Sequence, residues 1–283
     1  MKVARTIDSV RKLIANAGEN CKKVGFVPTM GALHRGHVSL IEKAVKNSDF
    51  VVVSIFVNPT QFGPEEDFEK YPRPLEDDLK ICKDNSVNLV FAPPVKEIYT
   101  EKNFTWVNVE KLTETLCGKS RPGHFRGVTT VCAKLFNIVE PDIAFFGQKD
   151  AQQAIVIKKM VTDLNLPIKI VVCPTVREPD GLAVSSRNKY LTDDQRKQAT
   201  LIYKALQTAE KMIKQGIKNP QTITEQMRKT LSKQPSIKIE YISIVNTQNL
   251  QPIDRIGKKN LIAIAAKLGS TRLIDNIIVD LSK

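Results

Sequence analysis

The sequence predicts an α/β protein: a Rossmann-like, doubly wound parallel sheet followed by a second, smaller α+β C-terminal domain. Two observations predict this organisation. In the first 175 residues, short apolar and β-branched runs alternate with segments whose apolar residues have helical spacing. Beyond them, long helical patterns are followed by three strand-like runs. The region between carries little glycine or serine, so we expect domains at residues 1–175 and 176–283 joined by a hinge.

Five strand-like runs predict the parallel sheet. Residues 50–57 form a continuous apolar, β-branched run, which is typical of a central strand buried on both faces. The other runs are residues 24–27, 89–91, 143–146 and 168–172. Helical patterns lie between the strands at residues 38–45, 75–85, 127–139 and 151–164. Such sheets bind ligands beyond the carboxyl ends of their strands, and the polar motifs described below all follow strands.

Capping residues and strand periodicity predict the C-terminal domain. Thr192 is placed to cap a long helix from residue 193 to about residue 215, and Gly216 stops it. A second helix follows Pro220. Apolar runs then predict three strands, at residues 237–245, 261–266 and 273–279.

Composition bounds the partners and the compartment. The 283-residue chain has a net charge of +13, which suits nucleic acid, anionic lipid or anionic small molecules. Its lysines are scattered and no run resembles an RNA-binding arm, so we expect no nucleic-acid partner. No apolar run resembles a signal peptide or reaches the ~18 residues that span a bilayer, so we expect no membrane partner. Five widely spaced cysteines favour a reducing compartment, and we expect the protein to be cytoplasmic.

The strongest motif is a histidine-rich turn, residues 28–37, between a predicted strand and a predicted helix. It contains two of the three histidines, His34 and His37, together with Gly31 and Gly36. A helix N-terminus has unpaired N–H groups and a positive dipole end, so the turn suits a phosphate group. The three-residue spacing and the distance of His124 in the sequence disfavour zinc. Helix capping explains one of the two histidines but not both.

Three further polar motifs follow predicted strands, and each has a structural alternative. Gln61 could offer its amide to a small polar ligand, or its segment could be a simple turn. Lys149 and Asp150 could contact a phosphate and a ribose, or form a solvated pair at a helix N-terminus. Residues 185–187 could bind a triphosphate, or form a solvated loop. The basic loop of residues 121–127 could line a site or an interface, and both interpretations remain open.

Taken together, these motifs resemble those of the pantoate–β-alanine ligase family within the nucleotidyltransferase superfamily. The resemblance follows the family's order and spans nearly the whole chain. The matching segments are residues 28–37, 58–62, 71–73, 121–128, 146–150 with Gln153, and 183–188. It implies a carbon–nitrogen ligase that joins (R)-pantoate to β-alanine with ATP. The implied products are pantothenate, AMP and diphosphate, formed through a pantoyl-adenylate intermediate.

The resemblance also implies roles for individual residues. The implied catalytic residues are His37, His34, Lys149 and Arg187. The implied ATP-binding residues are Met30, Gly31, His34, Gly36, His37, Gly147, Gln148, Lys149, Asp150, Val176, Val184, Ser185, Ser186 and Arg187. Gln61 and Gln153 are implied to bind pantoate, with Gln61 near the β-alanine position. Val184 and Gln148 depart mildly from the family, which more often has Met or Leu at the first position and Glu at the second.

The same resemblance sets expectations for cofactors and partners. Magnesium would accompany ATP and bridge its phosphate oxygens, and no protein residue is assigned as a metal ligand. A homodimer is expected, with the smaller domain as a lid that protects the acyl adenylate from water. Two rival interpretations remain. One is an RNA-binding module on a nucleotidyltransferase fold, and the other is a cytidylyl- or adenylyltransferase, which the separate Gln61 and Gln153 signals disfavour.

Overall fold

The computed structural model describes residues 1–18, 22–64, 66–100 and 102–282. The chain folds into two compact units. Unit 1 comprises Met1–Glu110, Arg121–Gly147 and Val156–Pro174, and unit 2 comprises Lys111–Ser120, Gln148–Ile155 and Thr175–Lys283. Two segments that precede residue 175, Lys111–Ser120 and Gln148–Ile155, therefore belong to the same unit as the C-terminal residues. The boundary between two continuous domains at residues 175 and 176 stays a prediction.

Unit 1 is built on a six-stranded sheet in which the pairs are parallel. Its strand order is β1-β4-β3-β2-β5-β6. The strands are β1 (Lys2–Ala4), β2 (Val24–Thr29), β3 (Phe50–Ile55), β4 (Leu89–Phe91), β5 (Ile143–Gly147) and β6 (Lys169–Cys173). This confirms the predicted parallel sheet. The prediction missed β1, because three residues, two of them exposed, are too short for a periodic signal.

The two units together contain nine described α-helices. They are α1 (Ile7–Gly18), α2 (Arg35–Val45), α3 (Leu75–Asp84), α4 (Val95–Ile98), α5 (Leu116–Ser120), α6 (His124–Val139), α7 (Ala151–Asp163), α8 (Asp193–Lys214) and α9 (Pro220–Leu231). Helix α6 begins at His124, three residues before the predicted start. Part of the segment predicted as a basic loop is therefore helical.

The order in which the chain adds strands to the parallel sheet reverses between two neighbouring strands, β2 and β5. From β2 the chain continues through β3 to β4 on one side, whereas β5 and β6 lie on the other side. The strands on both sides of the reversal are buried, and Phe26 and Phe145 are fully enclosed. Open parallel sheets bind ligands beyond the carboxyl ends of strands at such a reversal. The histidine-rich turn follows β2 at this point.

Unit 2 contains a three-stranded antiparallel sheet with the order β7-β8-β9. The strands are β7 (Ile237–Asn246), β8 (Lys259–Leu268) and β9 (Thr271–Asp280). Thr192 caps α8 through a capping box with Gln195, and Gly216 follows the helix with a φ of 90°. The core of the unit joins α8 and α9 to the sheet through Leu206, Met227 and Ile264. The predicted α+β fold is confirmed.

The described cysteines, Cys82, Cys117, Cys132 and Cys173, are free and buried. Cys21 lies outside the described residues. Burial raises the pKa of Cys132 to about 12, so this thiol stays protonated at neutral pH. Across the described part of the chain, no helix combines the length and apolar character needed to cross a membrane.

Candidate active site

The histidine-rich turn connects the carboxyl end of β2 to the N-terminus of α2. His34 is the N-cap residue, and its Nδ1 atom accepts the N–H of Gly36 at 3.1 Å. His37 completes a capping box, because its Nδ1 atom accepts the N–H of His34 at 3.3 Å. The expectation that capping would account for only one histidine is therefore wrong, since both imidazoles cap the helix.

These bonds determine which ring nitrogens carry protons. A backbone N–H can only donate, so Nδ1 of His34 and of His37 is the unprotonated nitrogen and Nε2 carries the hydrogen. The two ring centroids are 4.1 Å apart, and the ring planes meet at 31°. Two imidazoles that each carry a hydrogen on Nε2 therefore lie side by side at a helix N-terminus, where the dipole favours an anion.

Asp78, on α3, determines the path of the turn before α2. Its side chain is buried, Oδ2 accepts the N–H of Ala32 at 2.8 Å, and Oδ1 accepts the N–H of Leu33 at 2.7 Å. Gly31 has a φ of 81°, and a Cβ there would lie 2.8 Å from Oδ2 of Asp78. The carboxylate thus holds the backbone that leads into His34. Nothing in the sequence distinguishes Asp78 from its acidic neighbours.

Gln61 ends a short 3₁₀ helix, Pro59–Gln61, which follows β3. Asn58 caps this helix, is 1% exposed, and donates from Nδ2 to Oε1 of Gln61 at 3.1 Å. The contact orients the Gln61 amide, whose Nε2 atom donates to Sδ of Met30 at 2.9 Å. The structure therefore brings together two predicted site residues, Met30 and Gln61, that follow neighbouring strands.

A chain of polar side chains holds the backbone of Gln61. Arg121 pairs with both carboxylate oxygens of Glu66, at 2.6 and 2.5 Å, and donates to Nε2 of His124 at 3.0 Å. Nδ1 of His124 donates in turn to the carbonyl oxygen of Gln61 at 2.8 Å. Burial raises the pKa of Glu66, but hydrogen bonding and the charge of Arg121 outweigh it, so the pKa lies below its usual value.

Gly127 allows α6 to approach the same turn closely. A Cβ at this position would lie 2.3 Å from the carbonyl oxygen of Thr60 and 2.7 Å from the nitrogen of Gln61. Nδ2 of Asn58 also donates to the carbonyl of Gly127 at 3.1 Å. Residues 121–127 therefore support the Gln61 turn. Of the two interpretations left open for this segment, these contacts favour the one that places it at the site.

In unit 2, the residues after β5 form a second 3₁₀ helix, Gln148–Asp150. Asn276 of β9 donates from Nδ2 to the carbonyls of Gln148 and Lys149, at 3.0 and 2.8 Å. The Nζ atom of Lys149 lies 3.9 Å from Oδ2 of Asp150. This long ion pair matches the alternative in which Lys149 and Asp150 form a solvated pair at a helix N-terminus. The carboxylate of the pair is 47% exposed, so solvent screens the interaction.

The segment from Val176 to Arg187 folds back on itself in unit 2. The N–H of Val184 donates to the carbonyl of Val176 at 3.0 Å, and Arg177 bridges Ala183 in antiparallel fashion. Ser185 then caps a third 3₁₀ helix, Ser186–Tyr190, by accepting the N–H of Arg187. Residues 185–187 therefore form the start of this 3₁₀ helix, and their contact with a triphosphate stays a prediction.

Comparison with known proteins identifies the family. The chain matches the family described as pantoate-beta-alanine ligase over residues 2–278. The pantothenate synthetase of Thermoanaerobacter pseudethanolicus is 55% identical to it over 278 residues, which cover 98% of each chain. The chain belongs to the pantoate-beta-alanine ligase family.

Solved structures of pantoate-beta-alanine ligases have the same fold. The pantothenate synthetase of Thermus thermophilus has a TM-score of 0.94 at 43% identity, covering 98% of this chain and 99% of that chain. The ligase of Francisella tularensis, crystallised with beta-gamma ATP and beta-alanine, has a TM-score of 0.82 at 38% identity, covering 98% and 97%. The predicted family, fold class and ligase activity are confirmed, which favours the ligase over both rival interpretations.

The predicted site residues of this ligase fall into both units. In unit 1, direct contacts join Met30 to Gln61 and His37 to His34. Gly147 ends β5, where it pairs with Cys173 of β6. In unit 2, Gln153 lies partly buried on the first turn of α7. Sequence reasoning assigned no supporting role to the residues that hold these segments, namely Asp78, Asn58, Gly127, Arg177, Asp275 and Asn276.

Proposed function

We propose that this ligase condenses pantoate with β-alanine in two steps through pantoyl adenylate. A carboxylate oxygen of pantoate attacks the α-phosphorus of ATP, and the bond from this phosphorus to the bridging oxygen breaks, releasing diphosphate. The amine nitrogen of β-alanine then attacks the acyl carbon and loses a proton. The bond between the acyl carbon and the phosphate oxygen breaks, and AMP leaves.

The observation that carries the proposal is the pair of Nε2–H donors at His34 and His37. Charge moves onto phosphate oxygens during adenylate formation, and preorganised donors stabilise it because they need no reorganisation. Their position at the N-terminus of α2 adds the favourable end of the helix dipole. Lys149 and Arg187 are the cations that we propose for the remaining phosphate oxygens.

Gln61 is the residue that we propose for orienting pantoate, together with Gln153. A neutral amide can hydrogen-bond the hydroxyl and carboxylate groups of pantoate without neutralising the attacking oxygen. Asn58 fixes the amide of Gln61, and His124 holds its backbone carbonyl. A side chain held from two directions loses little further entropy when the substrate binds.

We propose that Mg²⁺ enters with ATP. Among the described residues, no group of three or more His, Cys, Asp or Glu side chains could hold a metal ion. Mg²⁺ is commonly held by substrate phosphates and water, with few protein ligands, and it would neutralise phosphate charge there. From the family resemblance we also propose a homodimer in the cytoplasm. The +13 charge is consistent with anionic substrates, without a nucleic-acid or membrane partner.

Exchange of labelled diphosphate into ATP tests the proposal, with Mg²⁺ present and β-alanine omitted. We expect exchange that requires pantoate, since only a reversible first step returns label to ATP. A reaction mixture without pantoate is the control and should show background label only. Pantothenate formation once β-alanine is added, without any exchange in its absence, would refute a separate adenylation step. No reaction either with or without β-alanine would refute the ligase proposal.

A further inference from the structure

Two adjacent polar residues, Asp275 and Asn276, are buried in the middle of β9. Their exposures are 4% and 5%, and β9 is an outer strand of its sheet. Polar side chains are buried at a cost unless they find hydrogen-bond partners. Apart from a bond between the two residues, their side-chain partners lie outside the sheet, in or next to the two segments of unit 2 proposed to bind ATP.

Asn276 directs its whole amide to the turn that carries Lys149. Besides its bonds to the carbonyls of Gln148 and Lys149, its Oδ1 atom accepts from Nε2 of Gln148 at 2.8 Å. Three bonds of 2.8 to 3.0 Å from one side chain fix the backbone from which the Lys149 side chain extends.

Asp275 holds the other segment through Arg177. The guanidinium donates to both carboxylate oxygens, at 2.6 and 3.0 Å, and to the carbonyl of Gly181 at 3.1 Å. It also lies 3.8 Å from the ring centroid of Tyr203. Arg177 belongs to the hairpin that closes at Val184, one residue before the Ser185 cap. Oδ1 of Asp275 accepts the N–H of Asn276 at 2.8 Å, so a hydrogen bond joins the two residues that hold these segments.

We propose that Asp275 and Asn276 are positioning residues for ATP, holding the Gln148–Asp150 turn and residues 184–187 where phosphate binding requires them. The inference rests on the proposed function, which assigns both segments to ATP. A merely structural role would lower stability without a selective loss of ATP affinity. The two possibilities are separated by measuring nucleotide binding beside thermal stability.

The experiment uses Asn276→Ala and Asn276→Asp in the full chain, titrated calorimetrically with ATP and Mg²⁺ in the absence of pantoate. The alanine variant loses three bonds, and the aspartate variant places an acceptor against two carbonyls. We expect the Kd for ATP to rise about tenfold or more in each, from the loss of hydrogen bonds of ordinary strength. The KM for β-alanine should stay within about twofold of the wild-type value.

Asn260→Ala is the matched control. Asn260 is also buried in this sheet, at 1% exposure. Within the described structure, the hydrogen bonds of its amide go only to Gly257: Oδ1 accepts the N–H at 2.9 Å, and Nδ2 donates to the carbonyl at 2.8 Å. We expect a similar fall in Tm with an unchanged Kd for ATP. Asp275→Asn keeps the side-chain volume and the Asn276 contacts, and should also raise the Kd. It serves as the test if Asn276→Ala does not fold.

A Kd for ATP within about twofold of wild type in the Asn276 and Asp275 variants, with a Tm loss like that of Asn260→Ala, would overturn the positioning role. If the wild-type chain binds ATP but forms no adenylate, the proposed two-step reaction is refuted. The positioning role would then stand if Asn276→Ala weakens binding. A wild-type chain without affinity for ATP would overturn both.

Discussion

His37 accepts the backbone N–H of His34 through Nδ1, and this bond places the proton of the His37 ring on Nε2. One imidazole therefore has two separate tasks, because Nδ1 caps α2 and Nε2–H is the donor proposed for the phosphate. Each task belongs to a different atom. A substitution that keeps one atom's role and removes the other's can therefore separate them.

His37→Gln should retain stability but lose the first half-reaction. Glutamine at the third helical position completes a capping box, so we expect the free energy of unfolding to stay within about 0.5 kcal/mol of wild type. His37→Ala should lose about 1 kcal/mol with the cap. Both should lower pantoate-dependent diphosphate exchange by about two to four decades. Wild-type exchange in His37→Gln would show that capping is the only role of this histidine.

Asp78→Asn should disrupt the histidine-rich turn although it changes only one atom. The N–H groups of Ala32 and Leu33 face different carboxylate oxygens, so an amide in the same orientation would turn its NH2 group, which only donates, toward one of them. We expect urea unfolding to show a loss of about 1–3 kcal/mol, together with weaker ATP binding in a direct titration. Glu76→Gln, on the exposed face of the same helix, is the control and should change neither quantity. Equal behaviour of the two variants would contradict a special role for Asp78.

Gly127→Ala should displace the turn that carries Gln61. The new methyl group would lie 2.3 Å from the carbonyl oxygen of Thr60, and backbone must move to relieve the contact. We expect a loss of about 1–3 kcal/mol of stability and a raised KM for pantoate. Gly63→Ala is the control, since its Cβ would meet nothing closer than 3.7 Å. An unchanged KM for pantoate in Gly127→Ala would remove the link between α6 and the Gln61 turn.

Local signals account for the elements that the sequence predicts. Helix α8 has a capping residue, Thr192, and a glycine stop, and both function as expected. The predicted strand at residues 50–57 ends at Ile55, because Asn58 and Pro59 begin a 3₁₀ helix instead. Hydrophobic pattern alone does not mark that end, since Phe56 is buried as deeply as the strand.

The supporting residues of the site are not predictable in this way. Asp78 bonds to Ala32 across 46 residues of sequence, and Asn276 bonds to Gln148 across 128. A single aspartate or asparagine has no periodic or motif signal, and only the tertiary fold brings its partners within reach. The residues that follow strands were predictable because the topology of a parallel sheet places their segments at one edge.

Stability should depend on pH through the Glu66–Arg121 pair. The folded pKa of Glu66 lies below its ordinary value of 4.5, since the Arg121 interactions outweigh the effect of burial. Between the folded pKa and 4.5, the carboxylate of Glu66 is therefore protonated more readily in the unfolded chain than in the folded chain. The contribution of the pair is therefore fully present above pH 4.5 and is lost as the pH falls through the folded pKa.

The measurement is the free energy of unfolding of the wild type and of Glu66→Gln between about pH 3 and pH 5.5, below the range in which histidine ordinarily titrates. We expect a stability gap in favour of the wild type at the upper end, narrowing toward the acid end as Glu66 becomes protonated. Glu69→Gln removes an exposed carboxylate from the same segment and should show no gap. A gap that widens with acidity would contradict the stabilising role of the pair, because it would mean that the surroundings of Glu66 raise its pKa.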